Sequence, residues 1–308
     1  MSHADEPIRW FHSAGALARD GWESVVDDSL PGWEHTGLHV ARLDPSAPLT
    51  LPGAAVERLV VPLAGWVEAT VVDPGGEQTV HALAGRHSVF DGPSDVLYVT
   101  SGSVLELRGS GRVAVASSPT AEQFPTRLVT SAETPVELRG AGTSSRQVHN
   151  FGTPDALDAA RFIVCEVITP AGNWSSYPPH KHDEHVDGHE SRLEEIYYFE
   201  ATPTRGAAAS IDADAAFGLF STSSSPAGEI AIDAQVRTGD IALVPFGYHG
   251  PAVAAPGYDL YYLNVMAGPD PERAWRITDD PRHTWVRGEW DGQSIDARLP
   301  YTTEGTHR

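Results

Sequence analysis

The sequence predicts an all-β protein built from two antiparallel β-sandwich or jelly-roll barrels. Three observations lead there. Glycine and proline number 29 and 24 in 308 residues, a composition suited to short strands and tight turns rather than long helices. Short runs rich in Val and Leu recur with turn residues between them, and no long stretch carries helical periodicity. The second half also echoes the first. ERLVVPLAG from Glu57 aligns with EEIYYFEAT from Glu194, and AGRHSVFDGPSDVLYV from Ala84 aligns with TGDIALVPFGYHGPAV from Thr238, the mark of a duplicated unit.

Taken in order, residues 1–45 read as an arm with short strands, anchored by Trp10, Phe11, Trp22 and Trp33 on a barrel or a neighbouring subunit. From Ala47 the runs LTLPGAA, VERLVVPLAGWVEATVV, QTVHALAG, HSVFDGPSDVLYVTSGSVLELRG and RVAVASS alternate strand and turn, with Asp73-Pro74-Gly75-Gly76 as one turn. SPTAEQFP has room for one turn of helix. The stretch SAETPVELRGAGTSSRQVHNFG is polar and Gly-rich in its middle. It is expected to hold the division between an N-terminal unit, 1–145, without a metal site and a C-terminal unit, 146–308, with one. ARFIVCEVITPAG then resumes as a strand.

Composition narrows the partners. A formal net charge of −21 argues against nucleic acid and anionic membrane surfaces, and an anionic substrate would need a local positive centre. The one cysteine, Cys165, allows no intramolecular disulfide and reads as a buried core thiol. No stretch approaches the ~20 apolar residues of a membrane span, and the N-terminus lacks a signal-like apolar run. A cytoplasmic location is the expectation, and exposed strands in the arm are compatible with a homo-oligomer.

The chemistry concentrates in YPPHKHDEHVDGHESRLEEIYYF, residues 177–199. His180 and His182 are two apart, so on a strand both imidazoles face one side, about 6.6 Å apart, while Lys181 faces the other. Glu195 opens the Ile-Tyr-Tyr-Phe strand, and His249 in PFGYHGP is the candidate fourth ligand. Three imidazoles and a carboxylate suit a divalent ion with open coordination positions. In the first half the equivalent places hold Thr50-Leu51-Pro52 and Ser94 or Asp95. His185 and His189 lie in the long loop and read as solvated, and the acidic loop itself as a lid or a solvated surface.

These motifs resemble the cupins: His180, His182 and Glu195 match the first cupin motif, and Gly239, Pro245, Gly247 and His249 the second. The expected architecture is therefore a bicupin. More narrowly, NWSSYPPHKHD, LEEIYYF, PFGYHGP, GYDLYYLNVMAG and DDPRHTW together resemble the 5-deoxy-glucuronate isomerase family of myo-inositol catabolism, related to the 4-deoxy-L-threo-5-hexosulose-uronate ketol-isomerases. The long loop from Asp183 to Glu194 departs from the general cupin pattern and leaves Asp187, Glu190 and Glu194 as competitors of Glu195; its position directly before the strand favours Glu195.

The resemblance implies an aldose–ketose isomerase acting on a small uronate, with Zn²⁺ as the expected ion and Mn²⁺, Fe²⁺ or Ni²⁺ as alternatives. A metal chelating two sugar oxygens stabilises an enediolate, and a base must carry the proton between C1 and C2. Glu166 and Tyr262, on strands expected to line the same barrel, are the candidates. Arg146 and Arg161 are the candidates for the substrate carboxylate. The segment from Trp275 to Trp285 reads as C-terminal packing. An Fe(II) dioxygenase with similar ligands and a non-catalytic sugar-acid-binding protein are the competing readings.

Overall fold

The computed structural model describes residues 9–208 and 210–302; the first eight residues of the arm lie outside them. Regular structure is almost entirely antiparallel strand, arranged in three sheets. No helix among the described residues is long and apolar enough to cross a membrane.

The N-terminal half is one eight-stranded sheet organised around two long strands, Val56–Val72 and Val104–Pro119, paired along nearly their whole length. The pairing shifts register near Ala64, and a bulge of this kind bends the ribbon so that it can fold back on itself. Alternation then sorts its side chains. Val60, Val67, Ala69, Leu97, Val99, Leu107, Val113 and Val115 fill an inner core belonging to this half alone. Leu59, Val61, Leu63, Tyr98, Ala114 and Ala116 face the other way and join the larger core shared with the C-terminal half.

The C-terminal half has a seven-stranded sheet and a six-stranded sheet. At the centre of the larger one lie Glu194–Pro203, Tyr258–Ala267 and Ile163–Thr169. Val136–Arg139 and Arg146–Gly152 form a hairpin at its edge. The expected division at residue 145 falls inside this hairpin, and the last strand of the eight-stranded sheet ends at Val129. Phe11–His12 of the arm pairs with Ile241–Val244 at the opposite edge, and Trp10 and Trp33 are buried in the shared core with ring centroids 6.2 Å apart.

Two carboxylates from equivalent places in the repeat clasp the halves together. Glu57 accepts hydrogen bonds from the main-chain N–H groups of Ala160, Arg161 and Phe162 at 2.8, 2.7 and 3.0 Å. Glu194 does the same for His35 and Thr36, both at 2.7 Å. A buried carboxylate satisfied by several N–H donors avoids the cost of an unpaired charge. Glu194 is thereby committed to the N-terminal half and stands aside as a metal ligand.

Between the halves lies a buried polar network. Arg86 donates to both oxygens of Glu166 at 2.6 and 2.7 Å, His149 Nδ1 lies 2.6 Å from Glu166 Oε1, and the Tyr261 hydroxyl donates to Oε2 at 2.7 Å. Burial works to raise the Glu166 carboxyl, but Arg86 overrides it and holds the group down to about 2.

Candidate metal centre

The strand His180–Lys181 pairs with Tyr248–Ala254 so that His180 stands directly opposite His249; their ring centroids are 4.5 Å apart. The backbone just after His249 is sterically exacting. Gly250 has φ +90°, and a Cβ there would come within 1.9 Å of the Ser176 carbonyl, so only glycine lets the two segments touch. His182 lies just past its strand, tied to Leu193: Leu193 N–H donates to the His182 carbonyl at 2.8 Å, and His182 Nδ1 meets the Leu193 carbonyl at 3.0 Å. These two bonds close the neck of the loop, so its length does not move Glu195 away from the histidines.

All three imidazoles are fixed in one sense. Nδ1 of His180, His182 and His249 faces the carbonyls of Pro178, Leu193 and Gly247 at 3.2, 3.0 and 3.2 Å. A carbonyl only accepts, so Nδ1 carries the hydrogen and the neutral ring presents its Nε2 lone pair. Nε2 of His182 and His249 lie 3.0 and 3.1 Å from the same Glu195 oxygen. His249 Nε2 is buried without a hydrogen-bond partner among the described residues. Lone pairs converging on a carboxylate oxygen make a cradle for a cation, and the donor set fits a divalent ion. Ligating atoms of His182, Glu195 and His249 lie within 4.8 Å of one another, with His180 on the flank. Burial tends to raise the Glu195 carboxyl; the neighbouring His182 and His249 rings act against it and hold the group down to about 2.

Lys181 points away from this centre, as alternation requires. Its Nζ donates to Asp183, Glu184 and Glu190 at 2.7, 2.8 and 2.8 Å. The acidic loop is therefore pinned at its two ends around a lysine ammonium, with Glu190 occupied there, while residues 184–189 are exposed, in line with the expected solvated surface.

His180 and Glu195 line a cavity of about 230 Å³ whose wall also includes Tyr197, Ser176, Tyr262 and Arg146. That is below the ~300–1,000 Å³ of pockets for drug-sized ligands, which suits one small sugar acid rather than a polymer. Ser176, at the unusual φ of +45°, places its hydroxyl 3.1 Å from the Tyr197 hydroxyl and 3.3 Å from that of Tyr262. Burial pushes both phenols up, so at neutral pH they are protonated donors.

Of the residues expected from the sequence, His180, His182, Glu195, His249, Tyr262 and Arg146 come together here. Glu166 does not. Val167 and Tyr262 share the cavity face of the sheet, so Glu166, one residue away, faces the N-terminal half, where Arg86, His149 and Tyr261 occupy both its oxygens. Arg161 does not either. It precedes the strand Ile163–Thr169, its N–H is held by Glu57, and its guanidinium donates to the Asp270 carbonyl at 3.2 Å. Sequence reasoning missed Tyr197, Ser176, Asn264, Arg139, Trp275 and Arg287, which also line the cavity. Trp275 opens the segment expected to pack, and Arg287 lies two residues beyond it. Thr278–Asp279 in that segment pairs with His180–Lys181 and brings its flanks to the cavity wall.

The KduI/IolB family model matches residues 11–286. The chain belongs to the KduI/IolB family. The proteins named 5-deoxy-glucuronate isomerase from Geobacillus thermodenitrificans and Geobacillus kaustophilus are similar to it. The first is 38% identical over 290 residues, 90% of this chain and 96% of that protein. The second is 39% identical over 267 residues, 85% and 89% of the two chains. The crystal structure of an IolB-like protein from Salmonella typhimurium superposes with a TM-score of 0.78 at 32% identity, covering 90% of this chain and 98% of that one. An oxalate decarboxylase from Lactobacillus farciminis shares the fold at 11% identity, with a TM-score of 0.59 over 88% of each chain. This KduI/IolB member is an isomerase, and its architecture is the expected all-β bicupin arrangement of antiparallel sheets.

Proposed function

We propose that the chain is a metal-dependent aldose–ketose isomerase converting 5-deoxy-D-glucuronate to 5-dehydro-2-deoxy-D-gluconate in myo-inositol catabolism. The observation that carries this reading is the set of three imidazoles and a carboxylate, of which His180 and Glu195 line a small cavity together with hydroxyls and guanidinium groups. The names of the similar Geobacillus proteins supply the substrate. His180, His182, Glu195 and His249 would hold the ion, with zinc expected and manganese, iron or nickel accepted by the same donor types.

When bound, such a cation supplies Lewis-acid stabilisation of the negative charge that develops on the two sugar oxygens. The reaction moves one proton between neighbouring carbons and one between their oxygens, with no net loss. Tyr197, Ser176 and Tyr262 form a chain of hydroxyls along the wall, suited to donating to those oxygens and passing the oxygen-bound proton. The buried tyrosines and the segment 275–287 keep bulk water from the reacting end.

The test is elemental analysis of purified protein followed by NMR of the sugar during incubation. Stoichiometric metal and conversion of aldose to ketose are expected, and His249→Ala should lose both. A fully metal-loaded protein that leaves the aldose untouched ends this reading; oxygen consumption in its place would favour the dioxygenase.

A further inference from the structure

We propose that Arg146 is the residue that receives the substrate's carboxylate, and that it makes this cavity selective for sugar acids over neutral sugars of the same length. The identity of the substrate rests on the isomerase reading; the anion subsite does not.

Three guanidinium groups line the cavity, from Arg139, Arg146 and Arg287. Arg139 and Arg146 are direct cross-strand partners in the hairpin, where like charges repel. Two of the three are neutralised by the protein. Arg139 is held by Glu137 at 2.9 and 2.7 Å, and Arg287 by Asp279 at 2.7 Å. Arg146 is 6% exposed and has no carboxylate partner among the described residues. Its one protein hydrogen bond goes to the Ser144 carbonyl at 3.1 Å, and its guanidinium lies 5.5 Å from the Trp290 ring centroid. Burial pulls it down to about 10, the neighbouring Arg139 and Arg287 acting in the same direction against Tyr262. A buried, fixed cation without a counter-ion is costly; an anion in the cavity would relieve that.

A second donor lies on the same wall. The Trp275 indole N–H is buried with no acceptor among the described residues. A guanidinium fork and an indole N–H both donate to carboxylate oxygens, and both line this cavity. The rest of the cavity wall carries His180 and Glu195, where the proposed cation would take hydroxyl and carbonyl oxygens. The cavity therefore suits a ligand with a carboxylate at one end and hydroxyl and carbonyl oxygens at the other. A neutral sugar would leave Arg146 and Trp275 unpaired, the situation in which a buried polar site discriminates most strongly. Trp275 and Arg287 both come from the C-terminal segment, so this subsite is complete only while Thr278–Asp279 is paired to His180–Lys181.

The test uses the full, metal-loaded chain. Calorimetric titration compares 5-deoxy-D-glucuronate and D-glucuronate with the matching hexoses that carry a hydroxymethyl in place of the carboxylate. Wild type should bind the uronates more tightly. Arg146→Met should weaken uronate binding roughly 100-fold, the scale of a lost charge-assisted bidentate contact, with metal content and hexose affinity unchanged. Where turnover is measurable, KM should rise far more than kcat falls, since the contact is present before and during the reaction. Arg146→Lys keeps the charge and should fold in any case. It should lose about tenfold on uronates alone, because an ammonium lacks the fork. Failure of wild type to bind any uronate, equal affinity for uronate and hexose, or a folded Arg146→Met or Arg146→Lys with wild-type uronate affinity each overturns the proposal. Uronate binding that depends on Arg146 in a protein that isomerises nothing would sink the isomerase reading and leave the subsite standing.

Discussion

Replacing Arg86 by Met tests the junction of the two halves. The substitution removes both donors that Arg86 gives to Glu166 and leaves a carboxylate that is 0% exposed with only His149 and Tyr261 beside it. Breaking a buried pair from one side costs about 3–5 kcal/mol. At about 2–4 °C per kcal/mol for chains of a few hundred residues, the melting temperature should fall by about 6–20 °C. Glu166→Gln added to Arg86→Met removes the stranded charge and should recover a good part of the loss. The coupling between the two sites should be about 1.5 kcal/mol or more. Urea denaturation of wild type, both single variants and the double variant gives the cycle. A loss in Arg86→Met below about 1 kcal/mol, or strict additivity in the double variant, would refute the assignment of this pair as a structural lock. The same pair sets an acid limit. Glu166 is depressed from 4.5 to about 2 in the fold, so its contribution is present above its unfolded pKa and is lost as the pH falls from about 4.5 towards 2. Arg86→Met should flatten that part of the stability profile.

Tyr262→Phe should keep the metal at full occupancy and lower kcat by roughly tenfold or more if its hydroxyl serves proton transfer; unchanged kcat would remove it from the chemistry. Glu57→Gln and Glu194→Gln should each destabilise by about 1–3 kcal/mol through weakened clasps, read by urea denaturation, and Glu194→Gln should leave metal content unaltered. Lys181→Met should free the acidic loop, which limited proteolysis would report as new cleavage between residues 184 and 189; an equally resistant loop would contradict its pinning by the lysine.

Much of the site was legible before any tertiary structure. The spacing of His180 and His182 sets both imidazoles on one face, Glu195 opens a strand, and Gly247 and Gly250 bracket His249 in a tight turn. Those are local rules of strand and turn geometry, and they hold wherever the strand is placed. The aligned positions Glu57 and Glu194 were also visible as a repeat, though not their reciprocal clasps, which join segments more than a hundred residues apart.

What the sequence by itself determined is the all-β class, the duplication and the set of metal-ligand types, because alternation, turn chemistry and donor identity are written in adjacent residues. Only the tertiary structure decided which face of a strand looks into the cavity. Glu166 and Val167 are neighbours, yet one locks the halves and the other lines the site, and a shift of one residue exchanges them. The hairpin around Gly140–Gly142 looked like a linker because its polar turn has a linker's composition; only pairing revealed that it sets Arg139 opposite Arg146. The cationic wall of an acidic protein likewise arises from folding, which gathers three arginines around one cavity and leaves one of them without an acid among the described residues.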